Sequence, residues 1–258
     1  MNTLEIIKIG GNILDNHHQL EKFMYEFMKL HHPKILVHGG GSSASEMCQK
    51  LDIPIQMEDG RRITNGPTLD VTVMVYAGLI NKNIVAKLQA QSANALGLSG
   101  ADLNIISAEK RSGTEIDYGF VGDIDSESIN TYFLKRLLDE QIIPVISAIT
   151  HDTHGQLLNT NADTIASTLA AALCQTCEVK LSYCFEKAGV LQNVDDNNSL
   201  IELLNKETFA NLKTKGVIKD GMIPKLDTAF EALNQDVQNV HIKHAHNLTS
   251  QTGTELTL

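Results

Sequence analysis

Leu4-Glu-Ile-Ile-Lys-Ile-Gly-Gly-Asn12 and Lys34-Ile-Leu-Val-His-Gly-Gly-Gly-Ser42 are the two stretches that decide how this chain folds. Each is a short apolar run that stops at glycines. Such a run, rich in Ile, Leu and Val, predicts a strand buried on both faces that feeds a tight turn. Between the two, Leu20, Phe23, Met24, Phe27 and Leu30 recur at helical spacing, so an amphipathic helix covers about 16–31 and Pro33 stops it.

Outward from these stretches the same alternation continues. A helix is expected over about 44–51, capped by Ser42 or Ser43. Gln56 to Thr64 reads as a hairpin turning at Asp59-Gly60, and Pro67 opens a long helix reaching about Leu96. A second hairpin is expected from Ile105 to Ile124, then a helix near 128–141 and a buried strand from Ile142 to Ile146. A polar turn at 151–155 precedes a helix that Asn161 introduces and that runs to Cys174. Then come a strand from Glu178 to Ser182, a polar loop at 193–199, two helices and a strand from Val237 to Ile242. Strands alternating with helices in this way imply an α/β fold with a mostly parallel sheet covered on both faces.

Length and composition suit an ordinary globular protein of 258 residues. The formal net charge of -10 argues against nucleic acid or an anionic membrane as partner, although a locally basic pocket could still take a phosphorylated ligand. No run is apolar for long enough to span a bilayer, and the first residues lack the pattern of a signal peptide, so a cytoplasmic protein is expected. The four cysteines, Cys48, Cys174, Cys177 and Cys184, are read as reduced thiols. Cys174 and Cys177 have the spacing of a zinc or redox pair, but no second pair follows, and no metal ligand is assigned.

Chemistry is expected where the two strand–glycine–helix junctions meet the carboxyl edge of the sheet. Backbone N–H groups at a helix N-terminus favour an anion, and glycine lets the backbone approach phosphate oxygens closely. Gly10, Gly11, Gly40 and Gly41 are therefore the candidate phosphate-binding residues. Either junction alone could be a plain turn. Two at one edge, with Lys8 just upstream of one, point to phosphate. The chain has no G-x-x-x-x-G-K-[ST] segment. Gly39 to Ala44 does fit G-x-G-x-x-A, the fingerprint of a dinucleotide site. That rival wants an acidic residue ending the next strand, whereas Glu58-Asp59 falls in a hairpin turn, and it leaves Gly10-Gly11 without a role.

A whole-chain pattern adds to these readings. Lys8-Ile-Gly-Gly11, Val37-His-Gly-Gly-Gly41, Gly60-Arg-Arg62-Ile-Thr64, Asn159-Thr-Asn161-Ala-Asp163, Gly221-Met-Ile-Pro-Lys225 and Gly253-Thr-Glu-Leu256 together resemble the acetylglutamate kinases of the amino-acid kinase family. The resemblance implies a three-layer αβα sandwich with an open, mostly parallel central sheet. Residues 1–175 would form the N-terminal lobe, for the acylglutamate and dimerisation, and 176–258 the C-terminal lobe, for ATP, on one continuous sheet. It further implies a homodimer built on the long helix. The activity implied is transfer of the γ-phosphoryl of ATP, with Mg²⁺ held mainly by the nucleotide, to the side-chain carboxylate of N-acetyl-L-glutamate in arginine biosynthesis.

Carried over by position, Lys8 and Lys225 would stabilise the phosphoryl group in flight, and Asp163 would hold both lysines. Arg62 would take the substrate α-carboxylate in a forked pair, with Asn159 at the same end, beside Gly40 and Gly41. Taken singly, Arg62 reads as a solvated hairpin charge and Lys225 as an exposed helical lysine, while an edge-strand charge at Lys8 and a helix cap at Asp163 are the alternatives to their roles. The segment Leu181 to Leu191 departs from the family's Leu-Ser-Asp-Val-x-Gly, so contacts to adenine and ribose are not carried over. Tyr183 and Phe185 there either line the nucleotide pocket or are core aromatics.

An N-succinyl-L-glutamate acceptor is the alternative, with Arg61, Lys82 and Asn83 as candidates for its extra carboxylate. Other readings are a glutamate 5-kinase-like member of the family or a non-catalytic nucleotide or effector sensor. Arginine-regulated members of the family that this chain resembles carry an extra N-terminal helix, and because the chain starts in its first strand the resemblance implies a plain dimer without arginine feedback.

Overall fold

The structure, a computed structural model, describes residues 3–58, 61–196, 198–219 and 221–258. The expected turn at Asp59-Gly60 lies outside the described residues.

The first strand, β1 (Thr3–Ile9), lies inside an eight-stranded sheet. Leu4, Ile6, Ile7 and Ile9 are all fully buried, because helices cover both faces. β1 pairs in parallel with β2 (Lys34–His38) on one side and with β11 (Glu178–Phe185) on the other. Beyond β2 lie β8 (Ile143–Ser147) and then β5 (Ala95–Leu98), both parallel. Beyond β11 lies β13 (Asn239–His244), parallel, followed by β14 (Thr254–Thr257), antiparallel, and β12 (Leu203–Asn205) at that edge. The α/β sandwich with an open, mostly parallel sheet is as expected. The β1–β11 pairing is what makes the sheet continuous from the first half of the chain into the second.

The helices in chain order are α1 (Gly11–Asp15), α2 (His17–Met28), α3 (Gly41–Lys50), α4 (Gly66–Val73), α5 (Asn81–Gln89), α6 (Thr131–Asp139), α7 (Ala162–Cys174), α8 (Lys206–Thr214) and α9 (Met222–Asn234). α7 is almost entirely buried, packing on β1, β2, β11 and α9; its alanines let the backbones approach closely. Small two-stranded pairs sit apart from the main sheet: β3 (Gln56–Glu58) with β4 (Arg61–Ile63), β6 (Glu109–Lys110) with β7 (Gly122–Asp123), and β9 (Ile149–His151) with β10 (Leu157–Asn159).

Several expectations need correction. The long helix stops at Gln89, because Ser92 turns left-handed at φ 62, and Leu96 pairs within β5. α3 starts at Gly41, so Ser42 and Ser43 lie inside its first turn and Gly40 occupies the cap position. The short strands β12 and β14 and the single turn of α1 carried too little periodicity to be read. Between α4 and α5 the long helix widens into a π segment, Met74–Ile80, a feature that tends to mark functional sites. By length and mean hydropathy, 1.2, the stretch Gly66–Gln89 would pass for a membrane span. Its inward face nevertheless holds Asn81, fully buried and bonded to His38 Nε2 and to the Val145 carbonyl.

Candidate active site

Ile9 stands opposite His38 in the parallel register, so the chain leaves β1 and β2 side by side. The two glycine loops therefore abut. A Cβ added to Gly11 would stand 2.9 Å from Ser42 Oγ. Asp15, at the end of α1, ties them further by accepting from the hydroxyls of Ser42 and Ser43, the latter at 2.7 Å. At Gly40, a Cβ would stand 2.3 Å from Ile80 Cδ1 and 2.9 Å from Tyr76 Cδ1. The π segment thus packs directly on the second loop, and only glycine fits there. The first turn of α3 starts at this edge, and an anion is favoured at such a helix start.

The lysines converge on the same edge. Lys8 is not on an edge strand. It is 6 % exposed on a central one, and its Nζ lies 2.7 Å from Asp163 Oδ1. A charge taken from water to that degree requires a partner. Asp163 is available because Asn161 does the capping of α7, its side chain accepting from the N–H groups of Asp163 and Thr164.

Lys225 reaches in from the first turns of α9, its Nζ 4.2 Å from the centroid of the Phe185 ring. Lys8 Nζ lies 5.5 Å from that same ring. Burial lowers the pKa of Lys225, the charge of Lys8 acts in the same direction, and Asp163 and Glu186 oppose both. Phe185 itself is buried at the end of β11, and a Cβ on Gly10 would touch it at 3.5 Å. Tyr183 is fully buried and donates to the Asp163 carbonyl at 3.3 Å. Both aromatics belong to the core, and both support the charged groups.

Arg62 and Asn159 meet around Thr64. Arg62 Nη2 donates to the Gly41 carbonyl at 2.9 Å and to Ser45 Oγ at 2.6 Å. Its Nη1 is buried with no hydrogen-bond partner among the described residues. The phenol of Tyr76 sits beside this guanidinium; burial raises its pKa and Arg62 works against that rise. Asn159 Nδ2 donates to Thr64 Oγ1 at 3.1 Å, and Thr64 Oγ1 in turn donates to the Arg62 carbonyl at 3.3 Å. Gly119, at φ +73, lets the chain press against the Thr64 carbonyl, which a Cβ would meet at 2.3 Å.

Sequence reasoning missed four contributors: Asn12, Asp15, Tyr76 and Glu186. Asn12 Nδ2 donates to Glu186 Oε1 at 3.1 Å, linking the first glycine loop to the end of β11. Lys82, a candidate for a second substrate carboxylate, spends its ammonium on Asn81 Oδ1 and the Gly97 carbonyl. The thiols of Cys174 and Cys177 donate to backbone carbonyls of α7, at Ala171 and Leu173.

The arrangement thus places two ammonium groups and two glycine loops at one edge, with a guanidinium bonded to the second loop through Nη2 and its Nη1 without a partner among the described residues. Such a site can hold one anion by its carboxylate and stabilise negative charge developing on another.

Residues 3–244 match the amino acid kinase family. The acetylglutamate kinase of Cytophaga hutchinsonii is 52% identical over 249 residues, covering 96% of this chain and 94% of its own. That of Phocaeicola vulgatus is 46% identical over 251 residues, covering 97% of each chain. Among solved structures, the N-acetylglutamate synthase of Neisseria gonorrhoeae, complexed with coenzyme A and N-acetyl-glutamate, superposes with a TM-score of 0.82 at 21% identity. That superposition spans 100% of this chain and 59% of the synthase, and shows a common fold.

Proposed function

This chain belongs to the amino acid kinase family, and from that premise we propose that it transfers the γ-phosphoryl of ATP to the side-chain carboxylate of N-acetyl-L-glutamate, as a step in arginine biosynthesis. The single observation that carries this reading is the meeting of Lys8, Asp163 and Lys225 at the glycine-loop edge, with Arg62 bonded to the second loop through Nη2.

In the reaction, a carboxylate oxygen of the acceptor bonds to the γ-phosphorus while the bond to the β,γ-bridging oxygen breaks. The products are an acyl phosphate and ADP. No general base is needed, because the carboxylate is already ionised at neutral pH. The transferring group spreads negative charge over its oxygens, so catalysis is mainly positioning and fixed positive charge. Lys8 supplies that charge from the acceptor side and Lys225 from the nucleotide side. Asp163 holds Lys8 in one rotamer. Backbone N–H groups at Gly11, Gly40 and Gly41 line the path of the phosphoryl, with Gly10 shaping the loop. Arg62 takes the α-carboxylate of the acceptor through Nη1, and Asn159 bonds the same end. Mg²⁺ arrives on the oxygens of ATP.

Residues 1–175 bind the acceptor and 176–258 the nucleotide. Pairing into a homodimer through the long helix is supported by Met74 and Leu79, 55% and 54% exposed on its outer face. The cytoplasm suits an enzyme that uses ATP and keeps four free thiols.

The test couples ADP release to a readout with N-acetylglutamate, N-succinylglutamate, free glutamate and aspartate as acceptors. Turnover with N-acetylglutamate is expected. Turnover only with free glutamate would overturn the reading, and silence with all four would favour a nucleotide or effector sensor.

A further inference from the structure

We propose that Phe185 is a positioning residue for phosphoryl transfer, its ring face holding the ammonium of Lys225 over the first glycine loop beside Lys8. This rests on the reading of the reaction given above.

The problem that the ring solves is one of like charges. Lys8 and Lys225 converge on one buried edge and repel each other, while Asp163 is in ion-pair contact with Lys8. Among the described residues Lys225 makes no ion pair. The group it lies against is the Phe185 ring, at 4.2 Å from the centroid. An aromatic face carries negative potential and attracts an ammonium within about 6 Å, most strongly where water is excluded. Phe185 is 5% exposed and Lys225 is partly buried, so the contact is partly shielded from water.

The ring is also well fixed. It stands at the last position of β11, immediately after Cys184, which pairs with Ile9 across the sheet, and its edge lies against Gly10. A methyl group at position 10 would meet it at ordinary contact distance, 3.5 Å. The next residue, Glu186, accepts from Asn12 in the first glycine loop, so the end of β11 is tied to that loop on both sides of the ring. A leucine would fill nearly the same space and offer no such face. The device therefore acts on the position of a cation that arrives from α9 and has no ion-pair partner of its own among the described residues.

The experiment replaces Phe185 with mono-, di- and pentafluorophenylalanine, which keep the ring's shape and progressively cancel its negative face. Expected is a graded fall in kcat, reaching about 3- to 30-fold at pentafluoro, with KM for ATP and acceptor within about twofold. A flat kcat across the series, or a change confined to KM, would overturn the proposal. A readout independent of turnover accompanies it. Lysines are ¹³C-dimethylated and the Lys225 signal is assigned by its loss in Lys225→Arg. An upfield ring-current shift that disappears in Phe185→Leu supports the contact, and its absence in the wild-type chain overturns it. If the wild-type chain phosphorylates none of the acceptors, the functional reading fails on its own, and the ring-current measurement still decides the contact.

Discussion

Lys8 Nζ lies 2.7 Å from Asp163 Oδ1, joining a central strand to the first turn of α7 with the two side chains only 8% and 11% exposed. Neither group could be kept so dry without the other. The pair therefore belongs to the core, and in the proposed mechanism to the chemistry as well.

Those two contributions can be separated. Asp163→Asn keeps the shape and removes the charge, leaving a buried unpaired ammonium. We expect a loss of about 3–5 kcal/mol in urea unfolding, together with a fall in kcat. Replacing both partners, as Lys8→Met with Asp163→Leu, should restore much of the stability and none of the activity. A double variant as active as the wild type would remove both residues from the mechanism.

Arg62→Lys keeps the positive charge and loses the fork. The wild-type guanidinium uses Nη2 on Gly41 and Ser45 and leaves Nη1 without a partner among the described residues, a division of labour that a single ammonium cannot copy. KM for the acylglutamate should rise by about 10- to 100-fold, with KM for ATP and kcat little changed. Steady-state kinetics with each substrate varied in turn measures this. A rise in KM for ATP instead would move Arg62 to the nucleotide side.

Gly40→Ala would push a methyl group into Ile80 Cδ1 and Tyr76 Cδ1. The strain should cost about 1–3 kcal/mol and displace the second glycine loop, lowering kcat/KM. Adding Ile80→Val removes one of the two colliding atoms and should recover part of both losses. Melting temperatures and kcat/KM of the single and double variants give the answer. No recovery would mean that the loop backbone, and not the helix packing, requires glycine.

His38 makes stability depend on pH in a defined window. Its Nδ1 donates to the Gly39 carbonyl at 2.9 Å and its Nε2 accepts from Asn81 at 3.0 Å, so the ring is held neutral behind the second glycine loop. Burial, helped by the charge of Lys82, pushes its pKa down from 6.5 to about 4. The folded state thus resists protonation while the unfolded chain accepts a proton near pH 6.5. The stabilising contribution is complete above that pH and is lost as pH falls toward about 4, by roughly 3 kcal/mol in all. His241, His244 and His246 also have lowered values, so the difference between wild type and His38→Gln is the measurement. Urea midpoints at pH 7.5 and 4.5 should converge for the two proteins at the lower pH. Parallel curves would mean that His38 does not titrate in this window.

Much of the fold was legible because its signals are local. The runs ending at Gly10 and Gly39 read as buried strands, and the spacing of Leu20, Phe23, Met24 and Phe27 read as one face of a helix. Asn161 read as a helix start and is one. Boundaries went wrong where a single backbone angle decides them, as at Ser92, or where a tertiary contact does, as with Ser42 and Ser43 turned to Asp15.

The sequence by itself determined the alternation of strands and helices, the two glycine turns at the ends of adjacent strands, and the residue types available there. It could not decide which side chains meet, because those contacts join positions far apart in the chain. Lys8 reaches Asp163 only because α7 packs on β1, and Lys225 meets Phe185 only because α9 packs on α7, at the end of a strand paired with β1. Asn12 and Glu186, 174 residues apart, left no trace in local pattern. Periodicity reports how each segment buries its own face. The assembly of charges at the site depends on how those faces pack against one another, and only the tertiary structure decides that.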